Sequence, residues 1–94
     1  VMEIVTDCVA PHVPRTLPDH MEIVWLDRLR AEDRVRVITW TCDCQAVYYE
    51  LCHAAGRAYI RRTLRKDGTV HETYRWLFRE AAQVWDALLL GHAR

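Results

Sequence analysis

Ninety-four residues with thirteen basic and thirteen acidic side chains make one small domain of zero formal net charge. Half are hydrophobic and 28% are charged, which excludes a disordered chain; the balanced charge excludes global attraction to nucleic acid or to a membrane surface. The charges are uneven, however: residues 1–53 hold nine acids against five arginines, and residues 54–94 hold four acids against eight basic residues, five of them in RAYIRRTLRK (57–66).

In chain order, all three prolines fall in the first twenty residues, so 1–20 reads as an irregular segment with APHVPRTLPDH as its connector. VMEIV before that connector reads as a short strand or the end of something longer. No stretch approaches the roughly 18 apolar residues of a membrane span. VMEIVTD carries acids where a signal peptide carries basic residues, so the expected location is the cytoplasm, with its cysteines kept as thiols. Pro18 and Asp19 are placed to cap a helix over HMEIVWLDRLRAED, with Met21, Trp25 and Leu29 on one stripe; a strand through MEIVWL is the competing reading.

From Val35 the hydrophobic period becomes two. VRVITWTC, AVYYELCH and RAYIRRTLR read as strands, rich in β-branched and aromatic residues. Lys66-Asp67-Gly68 predicts a tight type I′ hairpin turn, and TVHETYRW is the returning strand. A helix follows over 77–90, with Ala81, Val84, Trp85 and Leu88 on one face and Gly91 placed to stop it. The expected fold is a single α+β domain over 1–94. It consists of a four-stranded antiparallel β-meander (35–76), a C-terminal helix packed on one face and an N-terminal helix.

WTCDCQAVYYELCH (40–53) packs three of the four cysteines, with His53 and Glu50, into fourteen residues. A zinc reading recruits Cys42, Cys44, Cys52 and His53, but Cys-x-Cys lacks the two-residue gap of common zinc knuckles. In a hairpin around residues 43–45, Cys52 pairs near Arg36. The six steps from Ala46 to Cys52 span about 20 Å. One zinc, with bonds of about 2.3 Å to sulfur, cannot bridge that. A metal site would have to sit at the turn end, on Cys42 and Cys44 with Cys8 and His12 imported. The expectation is instead that the cysteines are small apolar residues of a sheet, with no cofactor bound. A Cys42–Cys44 disulfide is disfavoured by its strained two-residue separation.

No catalytic residue is expected. Cys52 and His53 are strand neighbours and point to opposite faces, so they cannot act as a nucleophile–base pair. A Cys44 and His71 dyad has nothing in its spacing to recommend it, and Glu50 and Glu72 read as solvated strand carboxylates. Gly56, Gly68 and Gly91 form no phosphate-binding loop.

The hairpin 57–66 could follow a phosphate backbone with Arg61 and Arg65 while Tyr59, Tyr74 and Trp76 stack bases. The favoured reading is that these arginines pair across strands with Glu72 and lie over aromatic rings. In the register expected here, one sheet face carries Val35, Val37, Val47, Tyr49, Leu51, Tyr59, Tyr74 and Trp76. The other carries Ile38, Trp40, Cys42, Ala46, Tyr48, Cys52, Ala58, Ile60 and Leu64. One helix covers only one face, so the expected function is a small non-enzymatic protein-interaction or regulatory module. Its partner is expected to be a second copy of itself or another protein. Trp40, Tyr48, Tyr49, Tyr59, Tyr74 and Trp76 are the expected contacts, with Arg61 and Arg65 on the charged rim.

Trp40-Thr41-Cys42, Tyr49-Glu50-Leu51-Cys52, Ala55-Gly56, Arg61-Arg62-Thr63, Val70-His71-Glu72 and the terminal WDALLLGHAR together resemble a group of small actinobacterial proteins. The resemblance covers roughly the last 55 residues. It implies a host lineage consistent with the arginine bias, twelve of the thirteen basic residues being arginine, and implies no activity.

Overall fold

The computed structural model describes residues 10–27 and 34–94. Five strands and one helix follow in chain order: β1 (Leu26–Asp27), β2 (Arg36–Trp40), β3 (Val47–Ala54), β4 (Arg57–Leu64), β5 (Thr69–Glu72) and α1 (Phe78–Leu89). All pairings are antiparallel, in the spatial order β1-β5-β4-β3-β2. The meander is therefore present, with β1 added along its far edge.

That fifth strand replaces the expected N-terminal helix. Residues 22–25 run without helix, and Leu26 and Asp27 pair with Glu72 and His71. Ile23 and Trp25 pack against the core while Val24 between them is exposed, the alternation of a strand. Trp25 tilts against Tyr49 at 5.9 Å and donates its indole N–H to the Arg94 carbonyl at 3.1 Å. Leu29 and the rest of the expected helix through residue 33 lie outside the described residues, as do VMEIV and Cys8.

Two turns exchange roles relative to expectation. Ala54 pairs with Arg57, so Ala55 and Gly56 form a two-residue loop; both have positive φ, 51° and 75°, as a type I′ turn requires. Around Asp67-Gly68 the last strand pair is Leu64 with Thr69. The loop there has four residues, and only Gly68 has positive φ, its N–H donating to the Leu64 carbonyl at 2.8 Å. The short turn aligns Leu51 with Ile60 and Cys52 with Tyr59. Ala58 and Ile60 thereby join Tyr49 and Leu51 on the helix side, and Tyr59 moves to the other face, correcting the expected division. The β2–β3 loop is longer than the expected turn over 43–45, and a bulge between Val37 and Thr39 interrupts the register, so Val37, rather than Arg36, stands opposite Cys52.

The helix forms where the apolar period becomes helical. Ala81, Trp85 and Leu88 are its buried stripe and meet Tyr49, Leu51, Ala58 and Ile60 of the sheet. Burying Trp85 and Leu88 contributes about 1.5–3 kcal/mol each. At the start of the helix the Glu80 carboxylate accepts the Leu77 N–H at 3.0 Å. At its end the Gly91 N–H bonds to the Leu88 carbonyl and the His92 N–H to the Ala87 carbonyl, closing a Schellman motif with Gly91 at φ 81°.

On the opposite face Cys52, Ala54 and Tyr59 form a second buried cluster, joined by Val35 and roofed by the Arg75 guanidinium 4.9 Å from the Tyr59 ring. Burial pushes the Cys52 thiol up to about 11, with Arg61 opposing and Glu50 adding to the shift; burial, and then Cys52, push Tyr59 up to about 12. Both groups are thus held in their protonated forms. Because the folded values lie above the unfolded ones, this stabilisation is complete below about pH 9 and is lost as pH rises through about 11. Native protein at pH 8 should leave Cys52 unalkylated by iodoacetamide, and Cys52→Ala should lessen the loss of stability between pH 9 and 11. Rapid native-state labelling of Cys52, read by peptide mass, would contradict its burial.

Candidate metal centre

Between β2 and β3 the chain makes a six-residue loop, Thr41 to Ala46, and its first residue fixes the start of the loop. Thr41 is fully buried; its N–H donates to the Tyr49 carbonyl and its hydroxyl accepts the Tyr49 N–H, both at 2.9 Å. Cys42 follows, 6% exposed, and after the turn at Asp43 the side chain of Cys44 comes back beside it, with the two sulfurs 3.1 Å apart.

The third member arrives from thirty residues away. Proline at 11 and 14 keeps the segment extended, as proline disfavours helix in the residues before it. This extended strap lies against the loop. The Cys42 N–H donates to the Pro11 carbonyl at 2.8 Å, and Val13 exchanges two hydrogen bonds with the Gln45 side chain. His12 sits between these anchors, with its Nε2 3.1 Å from Cys44 Sγ. The ligand atoms of His12, Cys42 and Cys44 all lie within 4.8 Å of one another. Among the described residues this is the one such group of three histidine, cysteine or acidic side chains.

The dimensions suit a four-coordinate soft ion. Zinc with bonds of about 2.3 Å to sulfur and about 2.0 Å to nitrogen sets neighbouring ligands about 3.5–3.8 Å apart. The two 3.1 Å edges would open by roughly half an ångström to admit such an ion. Two sulfurs and an imidazole are the donor types that select zinc, or copper(I), over magnesium or calcium.

Of the expected metal residues, Cys42, Cys44 and His12 come together, and Cys8 lies outside the described residues. Cys52 and His53 are excluded from the group. Cys52 is buried beside Tyr59, while His53, on the other face, stacks on Phe78 with ring centroids 4.1 Å apart. His71 contacts Arg62 at 3.2 Å and so belongs to a different part of the sheet from Cys44.

The expected contact residues are dispersed. Tyr49 and Tyr59 are core residues, Tyr48 and Trp76 are half-buried, and Trp40 and Tyr74 are exposed. The hairpin arginines are engaged within the chain. Arg61 holds Glu50 at 2.9 Å, which raises its pKa against the opposing effect of burial. Arg62 lies 4.5 Å over the Trp25 ring, where burial lowers its pKa, and Arg65 donates to the Cys44 carbonyl at 3.3 Å. Arg61 also stands opposite Glu72 in the β4–β5 register. The strap's contact with the loop, and with it the role of Gln45, has no signature in the sequence.

Among the described residues, no helix is long and apolar enough to cross a membrane. Comparison of the chain with protein-family models, with curated proteins and with solved structures finds no match.

Proposed function

We propose that this protein is a small metal-binding module that takes one zinc ion on Cys42, Cys44 and His12. The observation that carries the reading is the convergence of an imidazole and two sulfurs, from segments thirty residues apart, within 4.8 Å. Elements that bury themselves for packing have no need to bring three such donors together at the rim of a sheet. In this reading the cysteines bind as thiolates and His12 through neutral Nε2. The ion fastens the N-terminal strap to the β2–β3 loop, a role suited to a domain whose first described residues contribute little to its core.

Native mass spectrometry and competition with a chromophoric chelator test the reading directly. One zinc per chain is expected in the parent, with binding lost in Cys42→Ser and Cys44→Ser and weakened in His12→Ala. No zinc in the parent, or unaltered binding in Cys44→Ser, would remove the proposal.

A second reading, contact with another protein through the edge strand β2, draws on the exposure of Val37, Ile38 and Trp40 along it. A second copy of the chain is its simplest partner. Sedimentation should then show association that Trp40→Lys abolishes, and a monomer at every concentration would eliminate the dimer.

A further inference from the structure

We infer that Gln45 is the positioning residue of the metal centre, holding His12 within reach of the cysteine pair; this rests on the zinc-binding reading above. The Gln45 carboxamide meets the Val13 backbone in both directions: Val13 N–H donates to Oε1 at 3.0 Å, and Nε2 donates to the Val13 carbonyl at 3.2 Å. A primary amide is the side-chain group that can satisfy a backbone N–H and C=O of one residue at once, as a neighbouring strand would. Together with the Cys42-to-Pro11 bond, it fixes the chain on both sides of His12 and leaves the imidazole aimed at Cys44.

The placement matters because His12 stands in an extended segment that contributes no strand pairing at this position. Without Gln45, the Cys42-to-Pro11 bond is the one backbone anchor left between the strap and the cysteine loop. The ties at Pro14 and Leu17 run to Arg94 and Gly91 and do not fix His12 against the cysteines. Gln45 belongs to the same loop as the two cysteines, so one six-residue stretch supplies two ligands and the means of importing the third. It also borders an open cavity of about 280 Å³ shared with Val13, so truncating it admits water rather than collapsing a packed core. Its effect is therefore expected on the metal and not chiefly on the fold.

The test uses the whole chain with zinc for affinity and cobalt(II) as the spectroscopic probe, comparing the parent with Gln45→Ala, Gln45→Leu and His12→Ala. Loss of supporting groups around metal ligands typically lowers affinity by about 10- to 100-fold, and that range is expected for both Gln45 variants. Their cobalt spectra should keep sulfur-to-metal charge transfer while the ligand-field bands move towards those of His12→Ala. Both Gln45 variants binding zinc as the parent does, with unchanged cobalt spectra, would overturn the positioning role while leaving the centre intact. So would weaker zinc binding with parent-like cobalt bands, because a merely structural role lowers stability without altering imidazole ligation. A parent that takes up neither metal would overturn the centre and the positioning role together. Gln45→Leu keeps most of the side-chain volume, so the comparison stands even if Gln45→Ala folds poorly.

Discussion

Zinc added to chelator-stripped protein at about a thousandfold above its dissociation constant is expected to stabilise the fold by about 4 kcal/mol. In a domain of this size that corresponds to a thermal midpoint higher by roughly 15–30 °C. The stabilisation follows from linkage alone, because the native chain gathers His12, Cys42 and Cys44 and an unfolded chain does not. Zinc binding to cysteines of the unfolded chain would reduce the gain. Cys44→Ser should remove it, and acidification should remove it progressively, since protons compete for both thiolates and for the imidazole. Differential scanning calorimetry with and without zinc measures the effect. Equal midpoints in the parent under both conditions would sink the metal reading even if adventitious zinc were found in the preparation.

The second large effect concerns Gly91. A Cβ built there meets the Arg15 carbonyl oxygen at 2.6 Å, a backbone atom, and the residue has φ of +81°. Gly91→Ala should therefore lose about 1–2 kcal/mol from the left-handed backbone and about 1–3 kcal/mol more from the displaced strap. Gly56 is the natural control. Its φ is +75°, but nothing lies within 4 Å of the point where a Cβ would stand, so Gly56→Ala should show the backbone penalty alone. Urea denaturation of the two variants separates the contributions. Equal losses at both sites would mean that the strap does not press on the end of the helix.

Much of the fold was legible because its determinants are local. The period-two runs from Val35 and the helical stripe of Ala81, Val84, Trp85 and Leu88 each bury against a neighbour that follows closely in sequence. Gly91 ends the helix for a reason that lies within one turn of it. The errors came where a distant partner decides. Residues 21–27 carry a mixed signal, and the choice of strand follows from Leu26 finding Glu72 across the sheet. Ala55-Gly56 lacks the Asp-Gly cue yet makes the tighter turn, and that single misjudged loop length put Ala58 and Ile60 on the wrong face.

The candidate metal centre is half legible in the sequence. Geometry correctly separated Cys42 from Cys52 and named His12 as a residue that would have to be imported. Spacing favours an apolar role for these cysteines, and spacing says nothing about a strap held by hydrogen bonds to Cys42 and Gln45. The expected aromatic contacts are divided for a related reason: Tyr49 and Tyr59 lie buried on opposite faces at the centre of the sheet, while Trp40 and Tyr74 stand exposed.

The strap is tied at its far end as well. Leu17 and Met21 donate to the Gly91 and His92 carbonyls, and Arg94 returns a bond to the Met21 carbonyl. Every one of these contacts joins positions separated by most of the chain, while β3, β4 and β5 pair through short hairpins. Closing long loops is slow relative to closing hairpins, so the strap docks last, onto a sheet and helix already formed. Among the described residues it is accordingly expected to open first, and amide exchange at Leu17 and Met21 should report that local opening rather than global unfolding.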